Sequence, residues 1–317
     1  MKPHVIKTRD LRAIHQLRLS CNLAAISYYR ERRTREAKLR LLFGNSKEHA
    51  HHLVDQSAED PLATPFEWYA CDHGKVRYVV VQGTRDRMQW KINLDIDPIT
   101  LVGTTKAHRG AFHAALSLAN ALSDSRAMTT LPPSHSLGFV GHSMGGSVAM
   151  LAAMILLLTN AVSPVQISFV HMFGCPAVLH PTQGSSSLIR DFQHVVQHVV
   201  VSHDVVPRLL SANYKDLLRF SARWTRKFHY STRPYKHVGD VMLLEPSRDI
   251  LNASHPMLEG PGLYTIHKKD LDTFLDHPPI LDYILNQDSS LSLSNVHSVV
   301  TYARALGNVA RRKNFLP

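Results

Sequence analysis

Residues 141–146 read GHSMGG and stand between two apolar runs, SLGFV before and SVAMLAAMILLL after. A polar turn pinned between two segments that both want burial leaves few arrangements open. The first run has the length and apolar content of an inner strand, the second those of a buried helix. Chain reversal between them has to happen within a few residues. Gly141 and Gly145 leave room where side chains would collide, and the sharp turn thrusts the Ser143 hydroxyl clear of both elements. The helix that begins at Met144 turns its free N–H groups and its positive dipole end toward that serine, which favours negative charge developing beside it.

A serine hydroxyl becomes a nucleophile only when an imidazole takes its proton and an acid holds that imidazole in the right tautomer. The segment QHVVVSHDVVPRLL supplies an acid: alternating apolar residues form a strand, Pro207 stops it, and Asp204 is left at its tip. Six histidines follow: His229, His237, His255, His267, His277 and His297. His237 enters a strand in YKHVGDVMLLEP and reads as a packing or hydrogen-bonding residue. His277, on the proline-rich FLDHPPILDYI, is the runner-up for the base. His297 follows SSLSLSN, where Asn295 can cap a helix with the apolar face Val296, Val299, Val300, Ala303 and Leu306. A histidine at that junction reaches the serine while its helix stays fixed, so His297 is the first choice. For an oxyanion, the backbone N–H of Met144 and that of Thr84, just past the strand 78–82 and Gly83, are the candidate donors.

Strand and helix signals alternate along the remaining chain: FEWYAC, VRYVVVQG, the helix AHRGAFHAALSLANALS, the turn itself, QISFVHMFG and HVVVSHD. This rhythm predicts an α/β fold with a mostly parallel central sheet and helices on both faces. Cys21, Cys71 and Cys175 are widely spaced, with no CxxC pair, so neither a disulfide framework nor a zinc site is expected, and no metal or cofactor is called for. The longest apolar stretch, Val148 to Leu158, is too short to span a bilayer, and nothing at the N-terminus reads as a secretory signal.

Charge is unevenly spread. The net charge is +11, and residues 1–43 carry eleven Lys and Arg against Asp10, Glu31 and Glu36. Residues 1–60 therefore read as a basic helical extension and 61–317 as the main domain. Its stretch YYRERRTREAKLRLLF is either a solvated helix packed on the domain or a contact for anionic lipid, with nucleic acid the weakest of the three.

The quoted segments resemble the class 3 lipase family of α/β hydrolases. GHSMGGSVAML is similar to its serine turn, HMFGCP to the next strand, SHDVVPRL to its aspartate motif and AHRGAFHAA to the preceding helix start. FEWYACD, RYVVVQGTRDRMQWKINL, HDVVPRLLSANY and SHPMLEGPGLY are similar to segments, in the same order, of plant and algal plastid lipases acting as phospholipase A1. The resemblance implies hydrolysis of acyl esters of membrane glycerolipids through Ser143, Asp204 and a C-terminal histidine, with Thr84 and Met144 at the oxyanion, and a plastid membrane location. It also favours His297, because family members carry a tyrosine five residues after the base, here Tyr302. Two other readings of the same fold are a catalytically silent scaffold that binds a partner, and a peptidase or small-ester hydrolase.

Overall fold

Alternation along the inner strands decides the layering. The computed structural model describes residues 5–44, 53–57, 64–180, 187–208, 211, 235–252, 254–275 and 293–313. Its strands are β1 (Val5–Lys7), β2 (Leu53–Gln56), β3 (Trp68–His73), β4 (Val76–Val81), β5 (Pro98–Val102), β6 (Thr105–His108), β7 (Ser136–His142), β8 (Ile167–Phe173), β9 (Leu179–His180), β10 (Val196–Val201), β11 (Asp240–Glu245) and β12 (Gly262–Ile266). The helices that matter below are α1 (Leu11–Ile26), α2 (Arg32–Phe43), α3 (Arg87–Asn93), α4 (Arg109–Ser123), α5 (Met144–Leu158) and α6 (Val299–Lys313).

Nine strands form one sheet in the order β1-β12-β11-β10-β8-β7-β4-β3-β2, and β5-β6-β9 form a small second one. Strands β4, β7, β8, β10 and β11 run parallel, and antiparallel pairs close both edges. Trp68, Ala70, Val79, Val81 and Phe139 pack in one core with α4 and α5. Tyr69, Cys71, Tyr78, Val80 and Val140 pack in the other with α1 and α6. Successive residues thus serve opposite faces, as period-two geometry requires. Every residue of α5 from Met144 to Leu157 is buried, which is why that helix shows no polar face in the sequence.

The N-terminal residues are woven into this body. Asp10 caps α1, its carboxylate accepting from the amides of Arg12 at 2.9 Å and Ala13 at 3.1 Å. Ile14, Leu17, Leu23 and Ala24 of α1 and Leu39 of α2 are fully buried against the sheet and α6. Strand β1 pairs with β12 and β2 with β3, so residues 5–56 supply both edges of the large sheet. The boundary expected at 60/61 lies outside the described residues; β1, α1, α2 and β2 pack on the same sheet as the strands that follow.

The capping at the start of α6 also differs from expectation. The hydroxyl of Ser298, rather than Asn295, accepts the amide of Val300 at 3.2 Å. Val300 is exposed, while Tyr302, Ala305 and Leu306 make the buried stripe with Val296 and Val299. The 3.6-residue period allows either face until the neighbouring α1 selects one.

Candidate active site

Parallel strands that end at one level bring their following loops together, and the C-terminal edge of this sheet does so. Val81 lies opposite Gly141 where β4 and β7 end. One residue beyond β7, Ser143 takes φ 56° and ψ −142°, a conformation that costs a side-chain-bearing residue about 1–3 kcal/mol. The glycines on either side make the turn feasible: a Cβ on Gly145 would lie 2.1 Å from the Gln82 carbonyl oxygen, and one on Gly141 would lie 2.5 Å from Gly146.

Asp204 follows β10 in a turn closed by its own amide on the Val201 carbonyl at 2.9 Å. One carboxylate oxygen, Oδ1, accepts the Val206 amide at 2.9 Å. The other, Oδ2, accepts from the Tyr302 hydroxyl at 2.6 Å and from His297 Nδ1 at 2.8 Å. Burial pushes the Asp204 carboxyl up, but the His297 ring and these hydrogen bonds outweigh it and leave it below the ordinary value. A carboxylate can only accept, so His297 carries its proton on Nδ1. Its bare Nε2 then lies 2.8 Å from Ser143 Oγ, positioned to accept the hydroxyl proton.

The structure thus brings together Ser143, Asp204 and His297. His277, the runner-up, lies outside the described residues, as does His229. His237 sits apart on a buried network: its Nε2 donates to the Pro207 carbonyl at 2.8 Å and its Nδ1 is 3.0 Å from His198 Nδ1.

Thr84 stands on the loop after β4, next to Gly83, where an added Cβ would come within 3.0 Å of Ser143 Cβ. Its hydroxyl accepts from Asn93 Nδ2 of α3 at 2.8 Å, which leaves the Thr84 hydroxyl proton to be donated elsewhere. Met144 opens α5 and is buried.

Three participants were not singled out in the sequence: Tyr28, His142 and Asn93. His142 Nε2 is 2.7 Å from the His297 carbonyl oxygen, which can only accept, so Nε2 carries the proton. Nδ1 of His142 is then bare and accepts the Tyr28 hydroxyl, 2.7 Å away. Burial pushes the His142 imidazole down to about 3, so it stays neutral and keeps this direction. The turn that follows α1 is thereby tied through one ring to the backbone of the residue facing Ser143. Within the sequence, a histidine inside the serine turn carries no signal that separates it from a space-filling residue.

Tyr28→Phe should cost about 1–3 kcal/mol of stability, because it strands a buried acceptor. It should also lower kcat more than it raises KM, by up to about 10²-fold, if the displaced chain moves His297. Urea midpoints and steady-state kinetics measure the two effects separately.

The profile of the family Lipase (class 3) matches residues 78–214, a span that includes the β4 loop, the serine turn and Asp204. Over that span the chain is similar to the class 3 lipase family. Two curated relatives match beyond that span. Phospholipase A1 PLIP2, chloroplastic, of Arabidopsis thaliana is 27% identical over 303 residues, covering 84% of this chain and 42% of its own length. Phospholipase A1 PLIP1, chloroplastic, of the same plant is 28% identical over 275 residues, covering 79% and 42%. The chain therefore spans less than half the length of either. Among solved structures, a lipase from Rhizopus microsporus var. chinensis superimposes with TM-score 0.59 at 17% identity, covering 90% of each chain. Rhizomucor miehei triacylglyceride lipase does so with TM-score 0.58 at 15% identity, covering 93% of this chain and all of the other. At those identities the likeness shows the fold, which is that of the α/β hydrolases, as expected; the large sheet is mixed, its parallel strands flanked by antiparallel ones at both edges.

Proposed function

We propose that this chain is a serine carboxylic-ester hydrolase that cleaves acyl esters of membrane glycerolipids in the manner of a phospholipase A1. The single observation that carries the reading is the unbroken hydrogen-bond line from Ser143 Oγ through His297 to Asp204 Oδ2, with 2.8 Å at each link. A silent scaffold has no need of a base aimed at a strained serine.

In this mechanism Ser143 Oγ attacks the ester carbonyl while its proton passes to His297 Nε2. Asp204 stabilises the imidazolium that forms and stays ionised. The backbone N–H groups of Met144 and Thr84 receive the oxyanion, and the Thr84 hydroxyl, its lone pair engaged by Asn93, adds a third donor. Collapse expels the alcohol, which takes the proton from Nε2. Water then repeats the cycle on the acyl-enzyme, and no metal or cofactor enters any step.

Lipid as substrate is supported by the family and by the names of the two plant relatives. Their chloroplastic designation supports a plastid location. Among the described residues no helix is long and apolar enough to cross a membrane. Exposed Arg9, Arg12 and Arg33 in and beside the N-terminal helices, together with Arg30, Arg32 and Arg40, which pair with Glu67 and Glu36, favour an anionic surface there.

The test is a panel of phospholipid vesicles, galactolipid, dispersed triacylglycerol, a short p-nitrophenyl ester and a peptide amide. Release of fatty acid and monoacyl lipid from a membrane lipid is expected. Cleavage of the short ester alone would reassign the chain to small esters, and cleavage of nothing would return it to the scaffold reading.

A further inference from the structure

A groove of about 710 Å³ is lined by His297 together with residues from the end of α1, from α2 and from the start of α6. Ile26, Leu42, Val299 and Val300 are among its lining residues. Its size is that of a small-molecule site, and its walls are mainly apolar. Leu41 and Val300 on it are 79% and 55% exposed, so apolar surface faces solvent in the same groove that His297 lines. Among its described lining residues Lys38 is the one Lys or Arg, and there is no Asp or Glu. The Lys38 ammonium stands 5.2 Å from the centre of the Tyr29 ring, another lining residue.

Proton bookkeeping says which half of an ester such a groove would receive. When the tetrahedral intermediate collapses, the bond from carbon to the alcohol oxygen breaks and its electron pair stays on that oxygen. The proton that His297 Nε2 took from Ser143 then moves onto it. The alcohol oxygen must therefore come within hydrogen-bond reach of Nε2. The carbonyl oxygen points the other way, to Met144 and Thr84. A groove that has His297 among its lining residues but none of Ser143, Met144 and Thr84 lies on the base's side of the site, which is the alcohol side.

Resting on the ester-hydrolase reading above, we propose that this groove holds the leaving alcohol of the substrate: a glycerol that keeps one fatty-acyl chain and an anionic phosphate. The retained chain lies on the apolar wall made by Ile26, Leu42 and Val299, and the phosphate meets Lys38. The charge of the groove and its continuity with the base both fit that occupant. The chain to be released is bound elsewhere.

Two ester series separate the halves. One keeps butyrate and lengthens the alcohol from ethyl to dodecyl; the other keeps ethanol and lengthens the acid from butyrate to laurate. In each, kcat/KM reports the acylation step, which carries both parts of the ester. With wild type, kcat/KM should rise along the alcohol series, by at most roughly fourfold per methylene. Leu41→Glu combined with Val300→Glu changes two exposed positions and should flatten the alcohol series at least tenfold at dodecyl, more than it flattens the acid series. Lys38→Met should reduce the preference for phosphatidylglycerol over diacylglycerol about tenfold at low salt. Val165→Glu, 89% exposed on the surface before β8, serves as the control. Flattening of the acid series instead would give the groove to the released acyl chain and overturn the proposal. Unchanged slopes in both series would overturn it too, with the ester-hydrolase reading intact. Absence of any hydrolysis by wild type would remove that reading and this inference with it.

Discussion

Ser143→Ala is expected to lower kcat toward membrane lipid by about 10⁶-fold while leaving the thermal transition where it is in wild type. The substitution deletes one oxygen and adds no volume. Alanine meets the same penalty at φ 56° that serine already bears, so the turn has no reason to change. What disappears is the atom that forms the bond, and the oxyanion donors and the binding surface alone retain only about 10³–10⁴ over water. His297→Ala should be as damaging, and the double variant no worse than either, because base and nucleophile act as one unit. Asp204→Asn should cost about 10⁴, since an amide in that place can donate to Nδ1 and move the ring proton onto Nε2, where it blocks the serine. Rates from radiolabelled phospholipid vesicles, with melting curves of each variant, measure this. A folded Ser143→Ala protein within tenfold of wild type would place the chemistry elsewhere.

How much of this was legible depends on the distance along the chain over which each feature is decided. The serine turn is local: GHSMGG between two apolar runs leaves one way to fold, and Gly141 and Gly145 are needed within a few residues of Ser143. Asp204 was nearly as local: the apolar run of β10 ends at Val201, three residues before it, although Pro207 lies in the short helical turn Val206–Arg208 and does not itself stop the strand as expected. The base was harder. Several histidines had comparable settings, and His297 was preferred through its helix junction and the tyrosine five residues on; Tyr302 indeed donates to Asp204 Oδ2 at 2.6 Å. The Tyr28–His142–His297 chain could not be read, since its first link joins residues 114 apart and His142 fills a position of the serine turn that calls for no particular residue type. The sheet edges were missed for the same reason: Val5 pairs with Ile266, and a three-residue strand has too little periodicity to announce itself. Charge misled in its own way. Arg35 counts toward the basic N-terminal stretch, yet its side chain is 1% exposed and pairs with Glu67 at 2.7 Å, so composition counted as surface what packing took inside.

Removal of residues 1–43 is therefore expected to prevent folding rather than merely to weaken binding to lipid. Ile14, Leu17, Leu23, Ile26 and Leu39 are all buried in the core on the α1 face of the sheet. At about 1.5–3 kcal/mol for each such side chain, their loss amounts to about 8–15 kcal/mol as an upper estimate, as large as the whole stability of a typical domain. Truncation would also strip cover from Tyr69, Tyr78 and Val140, and take the β1 partner from β12. The truncated chain should show no cooperative thermal transition by circular dichroism; a sharp transition near that of wild type would restore the view of a detachable arm. Docking on anionic lipid then has to be tested without deletion. Arg12 and Arg33 are exposed, so Arg12→Glu with Arg33→Glu should leave the fold intact. With about 1 kcal/mol for each basic residue near an anionic surface, cosedimentation with phosphatidylglycerol vesicles should weaken by at least about thirtyfold at low salt. The difference should vanish as added salt shortens the Debye length to about 3 Å at 1 M, and binding equal to wild type at low salt would assign these cations to solvent alone.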